Sequence, residues 1–409
     1  MDRAPERYGS YLVYEELGKG GMATVHRAEL VAPDGSKKPV ALKRLMPTMQ
    51  RELIALFLDE ARVLRYLDHP NIAATYDSGR IFGTYFIAME YIKGPTLKKL
   101  VEQSGQTTGA VPEQITLNLA AQLCDALDHA HNRCDDKGSP LGIIHRDITP
   151  ANMILSDEGL LKLIDFGLAK AKVSTEETGQ GVIKGKFGYV APEYLGGKLD
   201  HRADLWAVGI IMYELLTSRR LFDGADAFET MMRVRQLPIP RPSLGNPRVS
   251  PELDEIVMTA LERDPARRWQ SAAAMGDALR NVIARPGNYV DNGQVAEWVS
   301  WLFTVRPGTE ISGLSRLHSI LRPKPAPSAP GEERTEVAAI IVEDPEPAPA
   351  PPPLPPPVRL IVPMPAPTWD PRTWDIRSWD RSSLVWLACA AGVVLLFAAS
   401  VCWEIAGWF

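Results

Sequence analysis

The sequence predicts an α+β fold in which strands come first and helices follow. From about residue 8 to 92, short apolar runs such as YLVYEEL, PVALKRL and TYFIAMEY are separated by glycine, proline and aspartate turns, which is typical of strands. One helix interrupts them over roughly Met49 to Leu67, where apolar residues recur at helical spacing. From about 95 to 284 the patterns are mostly helical, and Pro112 stands where a long helix would begin.

The composition is that of a globular protein with an unusual tail. The chain has 409 residues, of which 45% are apolar and 23% charged, and its formal net charge of -5 gives no basic field for nucleic acid. Its four cysteines are badly spaced for a metal site and are expected to be small apolar side chains in a reducing compartment. No signal peptide is expected, because the first ten residues contain no apolar run.

Three short motifs carry the chemistry. His145-Arg146-Asp147 is followed five residues later by Asn152, and then by Asp165-Phe166-Gly167. A glycine-rich turn and Lys43 lie upstream, and Ala191-Pro192-Glu193 lies downstream. This order places a carboxylate, an amide and a second carboxylate where a phosphate-bound metal and a substrate hydroxyl need them. The joint spacing, rather than any one tripeptide, makes the signal specific.

On these motifs, residues 11 to 284 resemble a eukaryotic-like Ser/Thr protein kinase of the bacterial membrane-anchored type. The resemblance implies a bilobal fold within 8–284, with a small β-rich N-lobe over about 8–92 and a large helical C-lobe over about 93–284. It implies ATP with Mg2+ (Mn2+ possible) as phosphate donor and protein hydroxyls as acceptors. Asp147 would be the base or orienter for that hydroxyl, and Asn152 and Asp165 would be the metal ligands, since hard oxygens suit magnesium.

The resemblance also implies a nucleotide site around Lys43, which would hold the α- and β-phosphates. Glu60 is the expected partner of Lys43, with Glu52 as the alternative. Glycines would let backbone N–H groups approach the phosphates, and Ala23 stands where the family has a third glycine. Around the nucleotide we expect Leu17, Gly18, Gly20, Gly21, Val25, Ala41, backbone groups of Glu90 and Ile92 at the hinge between the lobes, and Ile154 below the adenine.

Two residues depart from the family pattern. Thr149 occupies the position of a lysine that stabilises charge on the transferred phosphate, and Lys186 occupies the position of a threonine. We interpret the pair as a swap, in which the ammonium group of Lys186 replaces that of the missing lysine and approaches the same site from the opposite side. The same departures, with Ala23, keep a pseudokinase scaffold open as the alternative. A small-molecule kinase is disfavoured, because Ala191-Pro192-Glu193 and DLWAVG are protein-kinase features.

Further roles follow from the resemblance. Arg146 would pair with a phosphate on the loop after Asp165, and autophosphorylation is expected at Thr175 or Thr178; the alternative is that this loop is simply mobile. Structural roles are expected for a Glu193–Arg268 pair and for Asp204, which would anchor the catalytic-loop backbone.

The remainder of the chain divides into a helical extension, a linker and an apolar segment. Residues 285–322 are expected to be an accessory extension whose helix, 294–303, docks on the large lobe. Residues 323–383 are proline-rich and end in a Trp-Asp repeat, so a disordered spacer is favoured over an adaptor ligand. Residues 384–403 carry no charge and match a bilayer in length, whereas a buried soluble helix is the alternative.

The charges around that segment predict its orientation. Arg372, Arg377 and Arg381 precede it and no lysine or arginine follows it in the sequence, so a single-pass protein of the inner (plasma) membrane is expected, with a cytoplasmic kinase domain and a short outer stub at 404–409. Ala388, Gly392 and Ala399 share one helix face. These small residues would permit two copies of the helix to pack closely as a homodimer; the alternative is that they simply face lipid.

Overall fold

The computed structural model describes residues 4–46, 50–166, 187–196, 199–305, 317 and 319–322. These all lie in one compact unit, Met1–Glu332; a second unit, Glu333–Phe409, lies outside the described residues. Several predicted features also lie outside them: Gly167, Thr175, Thr178, Lys186, the proline-rich linker, the apolar segment 384–403 and the stub 404–409.

The predicted bilobal fold is confirmed, and its first lobe is an antiparallel sheet with one helix. Within the described residues the strands are β1 (Glu6–Tyr8), β2 (Tyr11–Lys19), β3 (Ala23–Val31), β4 (Lys37–Leu45), β5 (Thr75–Ile81) and β6 (Thr84–Glu90), and the helix is α1 (Arg51–Leu64). The sheet order is β1-β2-β3-β4-β6-β5. Helix α1 is shorter than predicted, because the chain tightens after it into i→i+3 bonds, from Tyr66 N to Val63 O and from Leu67 N to Leu64 O.

Strand β4 shows how the sheet directs its side chains. Successive side chains of a strand point to opposite faces. Val40 and Leu42 therefore enter an outer apolar cluster with Phe86, whereas Ala41 joins the main core. Lys43 shares the face of Ala41, which turns its amine towards the cleft.

The second lobe is helical. Among the described residues its helices are α2 (Leu97–Thr107), α3 (Glu113–His131), α4 (Arg202–Thr217), α5 (Ala227–Gln236), α6 (Pro242–Gly245), α7 (Pro251–Ala260), α8 (Ala272–Ile283) and α9 (Asn292–Leu302). Helix α4 is buried on all sides from Ala203 to Thr217, so it forms the centre of the lobe. Helix α9 confirms the predicted helix at 294–303, and it begins with an Asp291–Gln294 capping box.

A short hairpin beneath the sheet positions the site. Its strands are β7 (Met153–Leu155) and β8 (Leu161–Leu163). Asn152 directly precedes β7, Asp165 follows β8, and Ile164 N donates to Asn152 O at 3.0 Å. The two candidate metal ligands therefore stand side by side at the open end of one hairpin.

Candidate active site

The loop that carries Asp147 is held by a buried carboxylate of α4. Asp204 accepts hydrogen bonds from His145 N and Arg146 N, each at 2.9 Å, and lies 2.9 Å from His131 Nε2. Burial would raise the pKa of Asp204, but the contacts with His131 and His145 outweigh it and lower the pKa. The anchoring role predicted for Asp204 is confirmed. Arg146 has φ of 65°, a strained left-handed backbone that these bonds hold in place.

Asp147 and Asn152 are locked to each other. Asn152 Nδ2 donates to Asp147 Oδ2 at 2.6 Å and to Asp147 O at 2.8 Å, and both side chains are buried. The backbone between them turns through Pro150–Asn152, where Asn152 N donates to Thr149 O at 2.9 Å. The predicted base and one predicted metal ligand are thus brought together with a fixed orientation.

A second cluster joins the two lobes. Lys43 Nζ lies 2.7 Å from Glu60 Oε1 and 2.7 Å from Asp165 Oδ1. Burial alone would lower the pKa of Lys43, but Asp165 and Glu60 outweigh it and raise the pKa above its ordinary value, so the amine stays charged. Glu60 is 2% exposed, whereas the alternative partner Glu52 is exposed on the first turn of α1.

The donor set at the hairpin end fits a hard divalent cation. Asn152 directs its amide N–H groups at Asp147, which leaves its carbonyl oxygen as the atom that could face a metal. The side chain of Asp165 is 37% exposed, so it also reaches the cleft. Carboxylate and amide oxygens suit Mg2+. The two carboxylates of Glu60 and Asp165 share the single charge of Lys43, so this cluster is net negative.

The roof of the cleft contains the predicted glycine turn. Gly20 N donates to Ala23 O at 2.9 Å, and a Cβ added at Gly18 or Gly21 would meet nothing within 4 Å. The turn therefore has open space beside Gly18 and Gly21. Leu17 at its base is 47% exposed, which is unusual for a large apolar side chain. Val25 and Ala41 lie on the adjoining strands β3 and β4.

The segment after β6 is the candidate hinge. Glu90 N donates to Ala74 O at 2.8 Å, so of its backbone groups only the carbonyl could serve an adenine. The expectation that backbone groups of Glu90 bind the adenine ring is therefore limited to its carbonyl oxygen, because its N–H is already bonded. Ile92 is 9% exposed, and Ile154 lies on β7, across a bridge from Thr96.

The floor of the lobe is fixed by a buried ion pair. Arg268 Nη1 and Nη2 lie 2.8 and 3.1 Å from the two carboxylate oxygens of Glu193, and the Arg268 side chain is fully buried. The predicted Glu193–Arg268 pair is confirmed. Nearby, Tyr189 Oη donates to Glu214 Oε2 at 2.6 Å, and Arg220 Nη1 donates to Tyr189 Oη at 2.6 Å.

Sequence reasoning missed several polar residues around the site. Asn71 Nδ2 donates to Gln122 Oε1 at 2.7 Å and to Leu161 O at 2.9 Å, which ties the segment after α1 to β8. Lys162 Nζ lies 2.8 Å from Glu90 Oε1. An asparagine and a glutamine 51 residues apart form no motif, so no local signal could have paired them.

Comparisons with known proteins identify the family of the chain. The protein kinase domain family matches residues 11–279. The chain belongs to the protein kinase family. Its relatives include the tyrosine-protein kinase MasK of Myxococcus xanthus, at 35% identity over 280 residues (68% of this chain, 43% of MasK), and the serine/threonine-protein kinase PrkC of Bacillus subtilis, at 35% over 270 residues (65% and 39%).

A third relative and one solved structure cover comparable parts of the kinase. The serine/threonine-protein kinase PknL of Mycobacterium tuberculosis is 34% identical over 282 residues, 68% of this chain and 67% of PknL. The crystal structure of the Mycobacterium tuberculosis PknI kinase domain has a TM-score of 0.50 at 27% identity, covering 68% of this chain and 98% of that one. For MasK and PrkC, by contrast, the match spans only about two fifths of the length of the relative.

Proposed function

We propose that this kinase transfers the γ-phosphate of Mg-ATP to serine or threonine hydroxyls of proteins. The observation that carries the proposal is the position of Lys43 between Glu60 of one lobe and Asp165 of the other, at 2.7 Å from each. A lysine held in this way reaches phosphates from the roof of the cleft, opposite the Asp147–Asn152 pair. The relatives PrkC and PknL, named as serine/threonine-protein kinases, support the acceptor class.

The residues divide the work of an in-line transfer. Asp147 orients the acceptor hydroxyl and takes its proton. At the same time the acceptor oxygen forms a bond to the γ-phosphorus, and the bond between that phosphorus and the departing ADP breaks. Asn152 holds Asp147 Oδ2 in place through its amide. Lys43 orients the α- and β-phosphates, and Glu60 fixes Lys43. The metal ion, held by Asn152 and Asp165, would neutralise charge on the phosphates.

The decisive test compares Asp147→Asn with the wild type. Full-length chain is incubated with Mg2+ and labelled ATP, and phosphate incorporation is measured. Loss of the base should lower transfer at least about 100-fold, while nucleotide binding persists. Asp157→Asn is the matched control, because Asp157 is an exposed carboxylate paired with Lys93 at 3.4 Å and should retain full transfer. Equal incorporation by the Asp147→Asn chain would exclude Asp147 as the base.

The pseudokinase scaffold is the competing function, and Thr149 is the observation that favours it. Its hydroxyl brings no charge to the position of the family's lysine. Against it stand the assembled Lys43, Glu60 and Asp165 cluster and the bonded Asp147. Nucleotide binding by calorimetry without any phosphate transfer from the wild type would establish the scaffold instead.

The acceptor residue is a separate question, because MasK is named as a tyrosine-protein kinase. We favour serine and threonine on the basis of the other relatives. Phosphoamino acid analysis of the labelled products decides the point, and phosphotyrosine as the main product would overturn the preference.

Regulation by autophosphorylation belongs to the same proposal. Arg146 Nε is buried, and among the described residues it has no hydrogen-bond partner. A phosphate on Thr175 or Thr178 would supply an acceptor for this guanidinium. Mass spectrometry of the intact chain after incubation with ATP should show modification at one of these threonines, and an unmodified loop in an active kinase would refute it.

Attachment to a membrane is also proposed. No helix among the described residues has the length and apolar character needed to cross a bilayer. The support comes from the sequence outside them, where 384–403 are uncharged and Trp386 and Trp403 bracket the run. We propose that this run spans the plasma membrane and leaves the kinase in the cytoplasm. Recovery of the full-length chain in the soluble fraction without detergent would contradict this.

A further inference from the structure

Helix α9 packs against the hairpin that carries the two candidate metal ligands. Asn152 and Asp165 stand at the open end of the hairpin. The turn of the hairpin lies at its other end, at Gly159. A Cβ at Gly159 would lie 1.9 Å from Asn292 O and 3.0 Å from Ala296 N. The first turn of α9 therefore sits directly on the hairpin turn, and only glycine leaves room for it.

A cluster of side-chain amides joins α9 to the same hairpin. Gln122 Oε1 accepts from Leu161 N of β8 at 2.8 Å. Gln122 Nε2 donates to Asn118 Oδ1 at 2.6 Å and, at a longer 3.4 Å, to Asn292 Oδ1 of α9. Asn118 Nδ2 donates to Val290 O, just before α9, at 3.1 Å. Hydrogen bonds thus run without a break from β8 to the start of α9.

The far side of α9 is fixed as well. Gln103 Nε2 of α2 donates to Leu302 O at 3.2 Å, and Trp298 is fully buried. The buried Gln294 donates to Ile320 O at 2.7 Å and to Arg322 O at 3.1 Å. These bonds secure α9 on the lobe, so it can act as a fixed support.

We propose that α9 is a positioning element for phosphoryl transfer, which holds the turn of the β7–β8 hairpin so that Asn152 and Asp165 keep the arrangement magnesium needs. The inference rests on the proposed kinase function. Two strands of three residues each are too short to be stable alone, so neighbouring elements set the geometry of the hairpin. Mg2+ demands near-ideal octahedral coordination, so a small displacement should raise the magnesium requirement before the lobe unfolds.

The chain provides a matched pair of glycines for the test. Gly159 N donates to Ser156 O at 3.0 Å, and Gly138 N donates to Asp135 O at 3.0 Å, so each closes a turn of the same kind. Their φ angles are 78° and 80°. A Cβ at Gly138, however, would meet nothing within 4 Å. Alanine therefore imposes the same backbone strain at both positions, but it collides with α9 only at 159.

The experiment compares full-length Gly159→Ala and Gly138→Ala with the wild type. The Mg2+ concentration for half-maximal phosphorylation and the hydrogen exchange of residues 153–163 are measured. Gly159→Ala should raise the magnesium requirement several-fold and speed exchange in the hairpin, whereas Gly138→Ala should do neither. The same magnesium requirement and exchange in the two variants would overturn the proposal.

A milder variant covers the case in which Gly159→Ala does not fold. Asn118→Asp loses the donor to Val290 O but keeps the oxygen that accepts from Gln122, so it should shift both measurements in the same direction by less. Unchanged magnesium dependence and exchange in that folded variant would also overturn the proposal. If the wild type transfers no phosphate, the kinase proposal fails, and the exchange measurement still decides whether α9 holds the hairpin.

Discussion

Besides the hinge after β6, two of the contacts between the lobes among the described residues use opposite chemistry. The front junction is the ion cluster of Lys43, Glu60 and Asp165, which faces the cleft. The back junction is the segment 71–73, which pairs with β8 through Leu163 N to Asn71 O at 2.8 Å and Ala73 N to Leu163 O at 3.0 Å. Neutral amide and backbone groups supply these bonds at the back.

The difference indicates which junction can respond to ligands. A magnesium ion and phosphates carry charges that compete directly for Lys43 and Asp165, so the front junction can rearrange as nucleotide enters and leaves. No charged ligand competes for backbone bonds between 71–73 and β8, which are buried. The back junction is therefore expected to act as a permanent pivot, and variants at the two junctions should fail in different ways.

The largest effect is expected from Lys43→Arg at the front. The charge remains to balance Glu60, so the fold should survive, but a planar guanidinium cannot reproduce the contacts of a compact ammonium. Transfer should fall at least about 100-fold, measured with labelled ATP, with little change in melting temperature. Lys37→Arg is the control, since Lys37 lies on the same strand and is exposed, although it pairs with Glu29. Full transfer by Lys43→Arg would break the contrast between the junctions.

Asn71→Leu at the back junction should lower the stability of the fold more than it lowers phosphate transfer. Its amide donates to Gln122 Oε1 and Leu161 O in a buried setting, so removing it should lower the free energy of unfolding by about 2 kcal/mol. Asn132 makes an analogous pair of bonds to Asp128 but is exposed, so Asn132→Leu should cost under about 1 kcal/mol.

Denaturant titration measures both values, and labelled-ATP assays compare the folded fractions. Per folded molecule, Asn71→Leu should retain more transfer than Lys43→Arg. An equal stability loss for Asn71→Leu and Asn132→Leu would mean that the back junction is not a buried pivot.

The two junctions also differ in how far the sequence predicts them. The front junction is encoded in motifs, because Lys43 lies within a recognisable strand pattern, Glu60 lies within a helical pattern and Asp165 follows a short strand. The back junction depends on Asn71 and Gln122, and the docking of α9 depends on Gln122 and Asn292; both sets of contacts join residues far apart in the chain. Only the folded arrangement reveals them, since the local sequence around each amide is compatible with ordinary surface positions.

The sequence is also an incomplete guide to where the helices end and to the roles of Thr149 and Lys186, which depart from the family pattern. Periodicity predicted α1 and α9 but not the tight turn that shortens α1. The Thr149–Lys186 swap stays a prediction, since Lys186 lies outside the described residues. Thr149 Oγ1 is buried and has no hydrogen-bond partner among the described residues, which the sequence could not have indicated.

The smallest expected effect is a pH dependence at the back junction. The rings of His69 and His129 lie 5.1 Å apart, and burial lowers the pKa of both below 6.5. The neutral rings are therefore favoured in the folded state. As pH falls below about 6.5, the unfolded chain takes up protons that the folded chain does not, so the free energy of unfolding decreases.

The contribution of each ring should be small, because both rings are only partly buried and solvent screens them. Melting temperature should fall between pH 7.5 and 5.5, and His129→Phe should flatten that slope in part, because Phe fills the same space without binding a proton. His69 and His26, whose pKa values are also lowered by burial, remain in the variant and leave a residual slope. An unchanged slope in His129→Phe would mean that the pivot is insensitive to the charge of this ring, and that the neutrality of the back junction does not extend to its histidines.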